Sequence, residues 1–87
     1  MYYVYVLRSH KDGKLYTGFT KDLRRRIEQH NRGQGIVTKG RAPFELVYYE
    51  ACINKYDAIR REKYLKSGYG KRYLKNRLRN YFIEKEQ

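Results

Sequence analysis

The sequence is poor in the residues that most often staple or metallate a small domain. Its 87 residues hold one cysteine, one proline, two histidines and no tryptophan. A lone Cys52 closes no internal disulfide, and no Cys/His spacing suggests zinc. Cys52 sits among apolar neighbours and reads as a small core residue. No apolar run approaches the length of a membrane span. The first strand begins at Tyr2, which leaves no room for a signal peptide, so a cytoplasmic location is expected. Acids are also scarce, 9 against 21 lysines and arginines. Asp22, Asp57 and Glu62 are not spaced as a carboxylate cluster, which argues for one metal at most.

What is abundant is positive charge and tyrosine. A formal net charge of +12 makes the chain self-repelling unless it meets a polyanion, so nucleic acid leads the candidate partners. A ribosome-associated or merely basic protein is the bland alternative. An anionic membrane fits less well, because no helix pairs its cations with a clean apolar face. The 11 tyrosines and 3 phenylalanines must mostly build the core, although such rings can stack on bases. The length suits one core, hence a single domain over 1–87.

The stretch Lys14 to Asn31 organises the rest. Tyr2 to Arg8 is aromatic and β-branched and reads as a strand. Asp12-Gly13 signals a two-residue hairpin turn, and Leu15 to Thr20 is the return strand. That turn would pair Leu7 with Gly18 and Tyr5 with Thr20. The period of two places Tyr5, Leu7, Tyr16 and Gly18 on one face. Asp22 caps a helix on which Leu23 and Ile27 face inward, and Arg26 and His30 project from the same side. Asn31 to Pro43 reads as a mobile basic loop carrying Lys39 and Arg41. Phe44 to Cys52 is a third strand, central by its apolar density. Asn54 opens a second helix, with Asp57 in a position like that of a capping box. Ala58, Leu65 and, more laterally, Ile59 form its stripe, and Glu62 falls inside it. Ser67 to Gly70 breaks the helix. A third helix runs from Lys71 to about Phe82, and the tail Glu84 to Gln87 frays. The expected class is α+β, a three-stranded antiparallel sheet flanked by helices in the order ββαβαα.

Several polar groups border this core. A carboxylate in an apolar stripe is costly unless paired, so Glu62 is either in a salt bridge to an arginine or a ligand for a hard divalent cation. Arg26 can fork onto a phosphate, or pair structurally with Glu62 or backbone. His30 can accept a proton or hold a water, or simply sit at the core edge. Tyr5 and Tyr16 taken singly are ordinary sheet residues, and His10 is solvated.

Taken together, Tyr5, Tyr16-Thr17-Gly18, Arg26, His30 and a helical Glu62 resemble the GIY-YIG nuclease family. The first triplet here is Tyr3-Val4-Tyr5 and the second Tyr16-Thr17-Gly18, so both tyrosines and the second glycine are kept. The chain looks most like the short stand-alone bacterial members, relatives of the N-terminal nuclease domain of the excinuclease C subunit. The resemblance implies a metal-dependent DNA endonuclease of repair or recombination, directed by DNA structure and using one Mg²⁺ or Mn²⁺. Glu62 would hold the metal and Tyr5 would act on the attacking water. Tyr16 would bond the phosphate, Arg26 would neutralise it, and His30 would assist proton transfer or position Tyr5. Gly18, Lys39 and Arg41 would line the substrate, and a protein partner could choose the target. The rival reading is a module that binds DNA or RNA through the same surface without cutting. Asn76 and Asn80 lie at no convincing offset for the family's late asparagine.

Overall fold

A computed structural model describes residues 1–35 and 38–86. Among them the chain runs β1 (Tyr2–Ser9), β2 (Leu15–Thr20), α1 (Leu23–Asn31), β3 (Phe44–Cys52), α2 (Lys55–Lys66), α3 (Gly68–Arg77) and α4 (Arg79–Glu86). The three strands form one antiparallel sheet in the order β2-β1-β3. The class is α+β, and the order ββαβαα holds, with the last helical segment divided at Leu78. None of the helices is long and apolar enough to cross a membrane.

β1, not β3, is the central strand. Val4, Tyr5, Val6 and Leu7 are each at most 1% exposed, because both faces of β1 are covered and both its edges are paired. Tyr5 and Leu7 point toward α1, packing with Phe44, Tyr16, Leu23 and Ile27. Val4 and Val6 point the other way, into Ala58, Leu65 and Leu74 of α2 and α3. β3 is an edge strand that feeds both sides of the sheet, Phe44 and Leu46 toward α1 and Val47, Tyr48 and Cys52 toward α2 and α3, while Tyr49 remains 52% exposed.

The hairpin register also differs from the two-residue turn. Ser9 N donates to Lys14 O at 2.9 Å, so the loop is His10 to Gly13, with Gly13 at φ 72°. Ser9 Oγ accepts from the amides of Lys11 and Asp12, and Asp12 Oδ1 accepts from Lys14 N. These side-chain bonds satisfy the tight loop internally. Tyr5 therefore pairs with Gly18 and Leu7 with Tyr16. The slip is two residues, an even number, so all four keep the common face.

Asp22 caps α1 through Arg25 N, and Asn54 caps α2 through the amides of Tyr56 and Asp57. Ser67 ends α2 and caps α3 through Gly70 N, so Gly68, Tyr69 and Gly70 are helical rather than a break before the helix. A side chain at Gly70 would strike the backbone of Tyr64 and Leu65, and its absence lets the two helices join this closely. Glu84 to Glu86 are helical rather than frayed; Gln87 lies outside the described residues. So do Ile36 and Val37 of the expected loop. Near its end the loop is tied to the hairpin: Ser9 Oγ donates to Arg41 O at 2.5 Å, and Arg41 Nε donates to Asp12 at 3.0 Å.

α2 is held in rotation by a polar network on its β3 side. Arg61 forks onto Glu50 at 2.9 and 3.0 Å, Tyr48 donates to the same carboxylate, and Tyr48 and Tyr73 share a hydrogen bond. The Arg61 guanidinium lies against the Tyr64 and Tyr73 rings. With Arg61 tied to β3, the next residue, Glu62, is turned about 100° around the helix.

Candidate active site

The site forms where the α1 face of the hairpin meets the β2 edge. Tyr5 projects from β1 over its register partner Gly18. A Cβ at Gly18 would overlap the Tyr5 hydroxyl and ring, so only glycine leaves space for this phenol. The Tyr5 hydroxyl is bonded to His30 Nε2 at 2.9 Å. Tyr16 stands edge-on to the His30 ring at 5.1 Å between centroids, and Phe44 closes the far side at 6.0 Å. His30 is fully buried. Its other nitrogen, Nδ1, is 2.6 Å from Thr38 Oγ1.

Arg26, half-buried one turn before His30, bonds Gln29 at 3.0 Å and, among the described residues, no carboxylate. Its charge is left for the site. Burial pushes the Tyr5 phenol up to about 12; the facing Arg26 guanidinium opposes this, while Tyr16 and Glu62 add to it. Burial, helped by Arg26, pushes His30 down to about 4, so the imidazole is neutral at physiological pH. Tyr16, Arg26 and Glu62, from three elements, thus all bear on the Tyr5 phenol, and Arg26 bears on His30 as well.

Glu62 is 20% exposed and its Oε2 is 3.1 Å from Lys66 Nζ. The expected ion pair exists, but with a lysine of the same helix rather than an arginine. Among the described residues no three His, Cys, Asp or Glu side chains gather as a metal cage. A single carboxylate still fits Mg²⁺ or Mn²⁺, which take remaining ligands from water and from the oxygens of a phosphate substrate.

Alongside Tyr16 runs a groove of about 390 Å³ whose floor includes Leu15, Leu65 and Leu74 and whose cations are Arg41, Lys66 and Lys71. No acid lines it. Lys39 stands exposed on the adjoining turn. Gly18 is buried beneath Tyr5. Thr38, Gly35, Lys66 and Lys71 escaped the sequence reading. Thr38 and Gly35 belong to a loop with no periodicity to betray them, and the lysines are two among many.

The GIY-YIG catalytic domain model matches residues 1–77, and the chain belongs to that family of nucleases. At finer grain it is similar to a UPF0213 protein of Clostridium perfringens, 51% identical over 76% of this chain and 71% of that one. A UPF0213 protein of Staphylococcus saprophyticus is 46% identical over 76% of this chain and 80% of its own. The solution structure of a UPF0213 protein from Bacillus halodurans superposes with a TM-score of 0.52 at 45% identity, covering 85% of this chain and 82% of that one.

Proposed function

We propose that this protein is a metal-dependent endonuclease that hydrolyses DNA phosphodiester bonds, directed by DNA structure, in repair or recombination. The observation that carries the reading is the Tyr5–His30 hydrogen bond with Tyr16 packed against both rings, where Tyr16 also borders a groove holding Arg41, Lys66 and Lys71 and where Arg26 and Glu62 act on the charge of Tyr5. Tyr5 orients the attacking water and takes its proton. Arg26 faces the phosphate and offsets the charge that develops as the new oxygen bond forms. Tyr16 bonds a phosphate oxygen, and His30 positions Tyr5. Glu62 would hold one Mg²⁺ or Mn²⁺, which would supply positive charge for the departing oxygen. Gly18 keeps the space above β2 open for Tyr5, and Lys39 and Arg41 contact the flanking backbone.

The test is nicking of supercoiled and branched DNA with Mg²⁺, Mn²⁺ or EDTA, wild type beside Glu62→Ala. Metal-dependent nicking that disappears in the variant, with DNA affinity kept or raised, is the expected result. Retardation of DNA in a gel with no cleavage by either protein would replace this reading with that of a binding module.

A further inference from the structure

We propose that Tyr3 and Tyr49 form a stacking platform for an unpaired base of the DNA substrate, with Lys21 and Arg24 beside it for that nucleotide's phosphate. The proposal deepens the reading of an endonuclease directed by DNA structure and rests on it for the substrate, but its readout is binding and needs no cleavage. Across β1 and β3, Tyr3 pairs with Ala51 and Tyr5 with Tyr49. Tyr3, Tyr5 and Tyr49 therefore share the α1 face of the sheet. The Tyr5 ring reaches over Gly18 of β2, away from β3. Tyr3 and Tyr49 meet each other instead, at 6.1 Å between centroids and 57° between planes.

The core does not account for these two rings. Among the described residues, Tyr3 and Tyr49 pack against neither of the two buried clusters. Tyr49 is 52% exposed, and Ala51, opposite Tyr3, is exposed and too small to cover its ring. The pair borders a cavity of about 360 Å³ that Lys21, Asp22, Leu23 and Arg24 complete. Asp22 is the one acid among these residues, and its Oδ1 is engaged in capping α1 through Arg25 N. Lys21 and Arg24 pair, among the described residues, with no carboxylate. Exposed rings beside uncompensated cations are the parts of a single-strand binding surface.

An unpaired base suits this place better than other occupants. Inside a duplex each base already stacks on its neighbours, so only a base out of the stack offers its face to a tyrosine. A cavity of about 360 Å³ lies at the small end of ligand sites, the scale of one nucleotide. A second copy of this chain would bring a further +12 of charge against the same cations. Tyr49 is the register partner of Tyr5, about 5 Å away between Cβ atoms, and Tyr3 lies about 7 Å along β1. A base held here belongs to a nucleotide close to the bond under attack. Flaps, loops and junctions supply such bases, and a continuous duplex does not.

The chain holds no tryptophan, so Tyr49→Trp introduces a single fluorescent reporter. In EDTA, single-stranded oligothymidine should quench the indole of that variant, and a blunt duplex should not. By anisotropy, wild type should bind a flapped duplex about tenfold more tightly than a blunt one, the scale of one base–aromatic stack. Tyr49→Ala should lose that preference and Tyr49→Phe should keep it. Arg24→Ala should flatten the salt slope on the single strand by about 0.7; an unchanged slope would overturn the phosphate contact. An unquenched indole, equal affinity of wild type for the two duplexes, or a preference that survives in folded Tyr49→Ala would each overturn the platform. So would indole fluorescence that changes with protein concentration in the absence of DNA, which would make this face a contact between copies. If the platform binds as expected but no DNA is cut in Mg²⁺ or Mn²⁺, the endonuclease reading fails and the platform stands. If flapped DNA is cut and Tyr49→Ala keeps the preference, the platform falls and the endonuclease reading stands.

Discussion

Gly18 and Tyr5 are matched as space and occupant, so the smallest enlargement of Gly18 is informative. A methyl group there must displace the phenol from His30. Gly18→Ala should cost about 1–3 kcal/mol, the scale of overpacking in a close-packed interior, and a denaturant titration checks it. The ionisable pair behaves oppositely in acid and base. His30 holds a folded value of about 4 against an ordinary 6.5. Below pH 6.5 the unfolded chain therefore binds the proton that the folded chain refuses. Stability should fall by up to about 1.4 kcal/mol per pH unit from pH 6.5 toward 4. A denaturation midpoint unchanged between pH 7 and 5 would contradict a buried neutral His30. Tyr5, raised to about 12, is almost wholly protonated at neutral pH. If its phenolate takes the proton from water, single-turnover nicking should rise about tenfold per pH unit up to pH 9, a slope that Tyr5→Phe should abolish.

At the level of elements, the sheet is sandwiched unequally, and the two sides do different work. The α1 side carries Tyr5, Tyr16, Arg26 and His30, and α2 adds Glu62. The α2 and α3 side supplies stability through Leu65 and Leu74, both about 1% exposed. Leu74→Ala should cost about 2–5 kcal/mol by thermal or urea unfolding, as buried leucines do. Arg61 belongs to this framework and not to the chemistry. Its fork onto Glu50 fixes α2 about its axis, and that fixes where Glu62 points. α4 is tied to the sheet by Tyr81, which donates to Glu45 at 2.8 Å; the same carboxylate also receives His10 and Lys85.

For the molecule as a whole, charge governs encounter and shape governs what is met. A chain of net charge +12 should bind DNA with steep salt dependence, each neutralised phosphate adding about −0.9 to the log–log slope. Lys71→Ala removes one cation from the groove beside Tyr16 and should flatten that slope by about 0.9 with little change in stability. Fluorescence anisotropy across a salt series measures it.

Much of this architecture was legible because it obeys periods. Period two put Tyr5, Tyr16 and Gly18 on one face, and parity protected that result when the turn proved longer than Asp12-Gly13. Helical spacing put Arg26 beside His30 and Glu62 within the stripe of α2, where it is 20% exposed. Caps at Asp22 and Asn54 were readable from local hydrogen-bonding chemistry. What no period encodes was settled by tertiary closure. Which strand lies in the middle depends on which faces the helices cover, so β1 rather than β3 took that place. The arginine that takes Glu50 is decided by how α2 packs on β3, and it is Arg61. Thr38 meets His30 only because the hairpin tip grips the loop at Arg41. The sequence by itself determined the elements, their faces and the groups they carry, since those follow from local repeat geometry. The tertiary structure decided strand order, ion-pair partners and the hydroxyl behind the histidine, since each depends on contacts between segments far apart in the chain.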